Sequence, residues 1–439
     1  MPFALDPDFA KNPESHFDTL QVHAGYSPDP VTGSAALPIY ASAAFQFDSA
    51  EDGAAKFALQ KPGNVYGRLT NTTTDSVAAR IAAIEGATGA VAVASGHAAE
   101  ILAITNLCGA GDHIVASDSL YGGTWNILLH TLGDLGVETT FVENNDIDAF
   151  VAATRPETKL WYVETIGNPL VDVADVPALV EAANSLSEPL PVFVDNTFAT
   201  PYIYRPAEDG AAVVIESLTK WIGGHGATIG GAVVDTGRFD WKATPGKFPT
   251  LTEPDPSYHG LVFADAAPQA PFSTRVLANK LRDFGPTLSP FAAQLIGIGI
   301  EDLSLRVQRH SDNALAVARF LQSHPKVAWV RYPGLEDDPS HEVATRILRH
   351  GFGGTVVFGL KGGREAGLAV VDNVRLFTHL ANVGDAKSLI IHPASTTHSQ
   401  LTAEQLKAAH LSEDLVRLSV GIENVEDIIA DLDQALEKA

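Results

Sequence analysis

Ser217-Leu218-Thr219-Lys220 follows the apolar run Val213–Ile215 after a single intervening residue, Glu216. Lysine is almost never fully buried without a partner, so a lysine closing such a run is a reactive group in waiting. Desolvation lowers its pKa and makes its amine a nucleophile toward carbonyl carbon. Ser217 and Thr219 bring hydroxyls suited to a phosphate, and Gly223-Gly224 removes bulk beside the lysine. Asp195 closes a second apolar run, Val192–Val194. A carboxylate there can hold a protonated ring nitrogen, although a helix cap or a metal ligand would use the same residue type. Ser95-Gly96-His97 stands between an apolar run and a helical pattern, where free N–H groups cradle phosphate. Tyr121, after the run His113–Ala116, can stack on a flat ring.

A phosphate turn, a carboxylate and a lysine at successive strand ends describe a pyridoxal 5'-phosphate site. The lysine forms the imine, and the carboxylate keeps the ring charged so that it draws electrons. Competing motifs are weaker. There is no Gly-x-Gly-x-x-Gly between a strand and a helix and no phosphate-binding Gly-x-x-x-x-Gly-Lys-Ser/Thr. Ser217-x-x-Lys220, Ser311-Asp312-Asn313 and Lys361-Gly362-Gly363 imitate in order the motifs of serine acyl enzymes. That chemistry needs the serine at a helix start, and here it follows a strand. His379, His392 and His398 match no zinc spacing, so no metal is expected.

Positioning these groups requires a sheet. Short apolar runs at Ala90–Ala94, His113–Ala116, Thr139–Val142, Leu160–Val163, Val192–Val194, Val213–Ile215 and Ala232–Val234 alternate with helical patterns such as Asp75–Glu85, Ala98–Leu107 and Val176–Leu186. That is an α/β chain with a buried, mostly parallel sheet covered by helices on both faces. Open α/β sheets bind ligands at the carboxyl ends of their strands, where all the residues above fall. Residues 1–65 read as an arm that packs on a neighbouring subunit, 66–284 as the large cofactor domain, and 285–439 as a smaller C-terminal α/β domain. Residues 236–285 read as irregular. Ser289–Ser323 reads as one long helix, kinked near Gly297 and Gly299.

The formal net charge is −24 and there is a single cysteine, Cys108. The charge argues against nucleic acid and anionic membrane surfaces as partners. One cysteine excludes an intrachain disulfide and a four-thiolate metal site. With no basic-then-apolar leader and no apolar run long enough to span a bilayer, a cytoplasmic location is expected.

Asp195-Asn196-Thr197-Phe198-Ala199-Thr200-Pro201 followed by Ser217-Leu218-Thr219-Lys220 resembles the Cys/Met-metabolism family of pyridoxal phosphate enzymes. The likeness runs from about Leu20 to the C-terminus. Asn382-Val383-Gly384-Asp385-Ala386-Lys387-Ser388-Leu389, Ile391–His398 and Pro254–Gly260 resemble its O-acetylhomoserine sulfhydrylase subgroup. The resemblance implies the aspartate-aminotransferase-like fold (fold type I) and residue-specific roles. Lys220 would be the Schiff-base lysine and proton shuttle, Asp195 the partner of the pyridine nitrogen, and Tyr121 the stacking and catalytic ring. Gly96 and His97 N–H groups, with Ser217 and Thr219, would bind phosphate. Tyr66 and Arg68 would complete the phosphate site of a neighbouring subunit. Arg417 would grip the substrate carboxylate, assisted by Asn168 and Ser388. The implied reaction is γ-replacement, O-acetyl-L-homoserine and sulfide or a small thiol giving homocysteine or methionine and acetate. Cystathionine γ-synthase, O-succinylhomoserine sulfhydrylase and methionine γ-lyase are the family alternatives. The implied assembly is a homo-oligomer, a tetramer built from dimers with shared sites.

Overall fold

Strands rich in β-branched residues and buried on both faces need cover on both sides. In the computed structural model, which describes residues 15–29, 31–396 and 411–439, they form one seven-stranded sheet. Its strands are β1 (Gly89–Val93), β2 (His113–Ser117), β3 (Glu138–Val142), β4 (Thr158–Glu164), β5 (Val192–Asp195), β6 (Val213–Glu216) and β7 (Gly231–Asp235). The spatial order is β1-β7-β6-β5-β4-β2-β3. Only β7 runs against the others, paired antiparallel with both β1 and β6. The carboxyl ends of β1, β2, β4, β5 and β6 therefore share one rim.

Residues 1–65 are not extended throughout. Helix α1 (Phe17–His23) lies on the chain's own body: Leu20 is buried, and Gln21 bonds Ser304 through both its amide nitrogen and its oxygen. Helix α2 (Ala50–Phe57) follows, capped by Ser49. Helix α3 (Thr72–Glu85) starts one turn before the expected helix, because Asn71 caps it by accepting the Thr73 N–H and ties back to the Tyr40 carbonyl. Helix α4 (Gly96–Leu107) is capped by Ser95, which accepts the Ala98 N–H.

The segment read as irregular is closely packed. Trp241, Phe248 and Phe272 form a buried aromatic cluster, with ring centroids 5.3–5.4 Å apart along the chain of contacts. The expected long helix is two, Pro290–Ile300 and Leu303–Ser323, broken at Glu301-Asp302 rather than at the glycines. Gly299 serves close approach instead: a Cβ there would lie 2.3 Å from the Gly223 carbonyl oxygen. The second helix bridges two cores. Leu303 and Val307 pack with the large sheet, while Ala314, Val317, Ala318 and Leu321 pack in the second core. Residues 285–302, grouped on sequence with the small domain, thus pack with the large one.

The second sheet contains β8 (Val327–Arg331), β9 (Thr355–Leu360), β10 (Thr378–His379), β11 (Leu389–Ile391) and β12 (Leu415–Ser419), ordered β10-β11-β12-β9-β8. All its pairs are antiparallel except β10 with β11. The helices Gly363–Asn373 and Val425–Leu436 bury Val370, Ile428 and Leu432 against it.

Candidate active site

Five loops converge on the rim. Gly96 and His97 open α4 after β1; their N–H groups have no partner among the described residues, as the first donors of any helix have none within it. A Cβ on Gly96 would stand 2.8 Å from Ser217 Cβ, so glycine is what lets the two phosphate-facing turns touch. Thr219 is differently placed: its hydroxyl both donates to the Gly230 carbonyl and accepts the Gly230 N–H. It must rotate from that pair to reach a phosphate.

Lys220 is held by backbone close packing. Arg306 donates to the carbonyls of Trp221 (2.7 Å), Ile222 (3.2 Å) and Gly299, clamping the turn that follows the lysine. Gly384, at φ +75°, brings the Asn382–Asp385 loop against that turn; a Cβ there would lie 2.5 Å from the Trp221 nitrogen. Asn382 Oδ1 consequently accepts from Lys220 Nζ at 2.6 Å. Burial, then the Arg417 charge, pulls the Lys220 pKa down to about 8. Asp195 ends β5 and accepts the Thr197 N–H at 2.9 Å. Burial raises its carboxyl to about 6, and among the described residues no cation pairs with it. A protonated ring nitrogen is the partner that such a carboxylate lacks.

Tyr121 follows β2, half exposed over the rim, with the His97 ring stacked at 5.6 Å and 26°. Burial raises its hydroxyl pKa, against the pull of Arg417. Arg417, on β12, is partly buried, and desolvation lowers its pKa to about 10. Its Nη1 donates to Asn168 Oδ1 at 3.0 Å, and no carboxylate among the described residues pairs with it. A desolvated guanidinium without an anion is costly, and a carboxylate is the partner that would offset that cost.

Ser388 is a correction. It is fully buried, donates to Glu423 at 2.9 Å and accepts the Gly421 N–H at 2.9 Å. With its proton committed to a carboxylate it has no donor for substrate; it ties β11 to the chain after β12. Tyr66 and Arg68 stand apart from Lys220. Both are exposed, with the Arg68 guanidinium 5.0 Å from the Tyr66 ring centre. Arg68 borders a cavity of about 870 Å³ that none of Lys220, Tyr121, Asp195 or Arg417 lines.

The serine acyl-enzyme reading fails on geometry. Ser217 follows β6 rather than opening a helix, and Ser311 and Asn313 lie inside the helix Leu303–Ser323. Asn313 spends its amide on the Gly421 and Glu423 carbonyls. His392 uses both ring nitrogens, with Ser395 and the Glu413 carbonyl; His398 lies outside the described residues.

Sequence reasoning missed Asn382, although the glycine two residues on was the available signal. It also missed a set of buried acids under the rim. Glu85 and Glu216 meet carboxyl to carboxyl, and burial raises Glu85 to about 7 and Glu216 well above the usual carboxylate range. Two like charges cannot both persist there, so the pair holds a proton. Glu100 and Glu164 are likewise raised by burial and then by Asp195.

The model of the Cys/Met metabolism PLP-dependent enzyme family matches residues 18–437. The chain belongs to this family. An O-acetyl-L-homoserine sulfhydrylase of Thermus thermophilus is 48% identical over 96% of this chain and 99% of its own length. A homocysteine synthase of Schizosaccharomyces pombe is 47% identical over 97% and 99%. A Campylobacter jejuni structure described as an O-acetylhomoserine (thiol)-lyase superposes with TM-score 0.92 at 38% identity, covering 96% of this chain and all of that one, and carries a pyridoxyl-lysine phosphate. As in the rest of the Cys/Met metabolism family, the cofactor is pyridoxal 5'-phosphate. The residues present fit it: an amine of lowered pKa, an unpaired buried carboxylate and free helix-start N–H groups.

Proposed function

We propose that the protein catalyses γ-replacement on O-acetyl-L-homoserine, breaking the Cγ–O bond to release acetate and forming a Cγ–S bond with sulfide to give L-homocysteine. The observation that carries an amino-acid substrate is Arg417, a partly buried guanidinium that no carboxylate pairs with among the described residues. Near-full-length relatives named for this reaction support the acetyl ester and sulfide. Arg417 grips the α-carboxylate as a fork, with Asn168 fixing one arm of the guanidinium. The bound cofactor supplies an electron sink at Cα. Lys220 Nζ moves protons there: a pKa near 8 lets it take and return a proton at neutral pH. Asn382 holds that amine when it is free. Asp195 keeps the ring nitrogen's proton in place.

The test is product analysis with acetyl- and succinyl-homoserine, each with sulfide, cysteine or no thiol. Homocysteine from the acetyl ester and sulfide, several-fold faster than any other product, is expected. Cystathionine or 2-oxobutyrate as the main product would replace this reading with a relative's.

We place the active protein in the cytoplasm as a homo-oligomer with sites shared between subunits, a tetramer built from dimers. The location rests on the lone buried Cys108. No helix among the described residues is long and apolar enough to cross a membrane. Two observations support assembly. Tyr66 and Arg68 make no hydrogen bond to the Lys220 site of their own chain. Phe291, Leu295 and Ile298 form an exposed apolar stripe on one helix face. Lys220→Ala and Arg68→Ala are each expected to be nearly inactive. Refolded together in equal amounts, they should regain about a quarter of parental activity, because half the pairs are mixed and each mixed pair has one intact site. No recovery, with subunit exchange verified by tagged chains, would put Arg68 in its own chain's site.

A further inference from the structure

Tyr121 and Asn168 sit on two different loops and Asp195 ends β5, yet one buried side chain touches or adjoins all three. Glu164 is the last residue of β4. Its Oε1 accepts the Tyr121 N–H at 2.6 Å, and the carboxylate also accepts the N–H of Asn168. Glu164 pairs in register with Asp195 on the neighbouring parallel strand, so both side chains leave the sheet on the same face. Asn168 in turn receives the Arg417 guanidinium at 3.0 Å. We propose that Glu164 is a positioning residue: its carboxyl fixes the loop that stacks on the cofactor and the loop that orients the substrate-binding arginine, and sets the field at Asp195.

Two N–H donors from separate loops converging on one carboxyl explain why an acid is retained here. A carboxylate can accept both, whereas an amide offers one acceptor and turns its own N–H groups toward the other donor. Burial holds the Glu164 pKa well above the usual carboxylate range, Asp195 adds to this, and the two N–H bonds oppose it. The charged and titratable groups facing it are Asp195 on β5, Glu100 on α4, Tyr162 on β4, Tyr121 after β2 and, through Asn168, Arg417 on β12. The coupling therefore runs from the carboxylate-binding end of the site to the ring-nitrogen end through a single residue. The inference rests on the pyridoxal phosphate γ-replacement reading given above.

The test is Glu164→Gln in the holoenzyme. Displacing a site group by about 1 Å costs on the order of 100-fold. The expected result is a kcat/KM lower by about that factor, with KM for the amino acid raised as well as kcat reduced. The pH midpoint of the cofactor's visible absorption should also move, while the melting temperature stays close to the parent's. Parental KM and an unmoved midpoint would overturn the proposal, as would an activity loss that only follows the folded fraction. If the variant does not fold, amide hydrogen exchange in the parent decides: slow exchange at Tyr121 and Asn168 is expected, and fast exchange at either overturns it. Should the parent make no homocysteine, the reaction assignment fails, whereas the absorption and exchange measurements still judge Glu164.

Discussion

Lys220→Ala should lower turnover by about 10⁴-fold or more, the scale of losing both the covalent attachment and the proton shuttle. The protein should still fold, because Lys220 contributes one hydrogen bond, to Asn382, and its neighbours are held by Arg306. Borohydride treatment of the parent should fix the cofactor to Lys220, identified by peptide mapping. Label on another lysine would overturn the assignment. The lowered pKa adds a pH test on the apoprotein. Only the neutral amine attacks the cofactor's aldehyde, and its fraction grows as pH rises toward about 8. The rate of cofactor capture should therefore rise about tenfold per pH unit below that value and level off above it. A rate still climbing at pH 10 would mean an amine in the ordinary lysine range.

Arg417→Ala should raise KM for the amino acid by about 10- to 150-fold, the equivalent of ~1.5–3 kcal/mol for a charge-assisted pair. Cofactor binding should persist, since no cofactor contact is assigned to Arg417. Arg417→Lys should recover little, because an ammonium cannot make the paired bonds. Arg417→Met should give an apoprotein at least as stable as the parent, because the partly buried guanidinium has Asn168 as its side-chain hydrogen-bond partner and no carboxylate among the described residues, and its charge repels that of Lys220. Steady-state kinetics and thermal melting check the set. Unchanged KM in Arg417→Ala would remove the carboxylate-binding role.

The acid pair Glu85 and Glu216 shows the limit of local reading. One closes a helix and the other a strand, 131 positions apart in the chain, and nothing in either neighbourhood announces that they meet. Glu164 is similar: in the sequence it is a carboxylate after Trp161-Tyr162-Val163, and its two N–H partners come from separate loops. Ser388 was misread for the converse reason. Its segment carried the resemblance, but the hydroxyl's proton goes to Glu423, a contact set by how β11 and β12 lie together.

By itself the sequence determined the cofactor chemistry, because an apolar strand that ends in aspartate, or is followed within one turn by lysine, states in one short stretch both burial and the group that burial perturbs. It likewise determined the alternation of strands and helices, since hydrophobic periodicity is local. Tertiary structure alone decided which way each strand runs, and so that the ends of β1, β2, β4, β5 and β6 share a rim while β7 opposes them. It also decided which polar groups spend their hydrogen bonds on one another and which are left for a ligand. Arg417 is open and Ser388 is not, because satisfaction of a buried polar group depends on neighbours brought from distant parts of the chain.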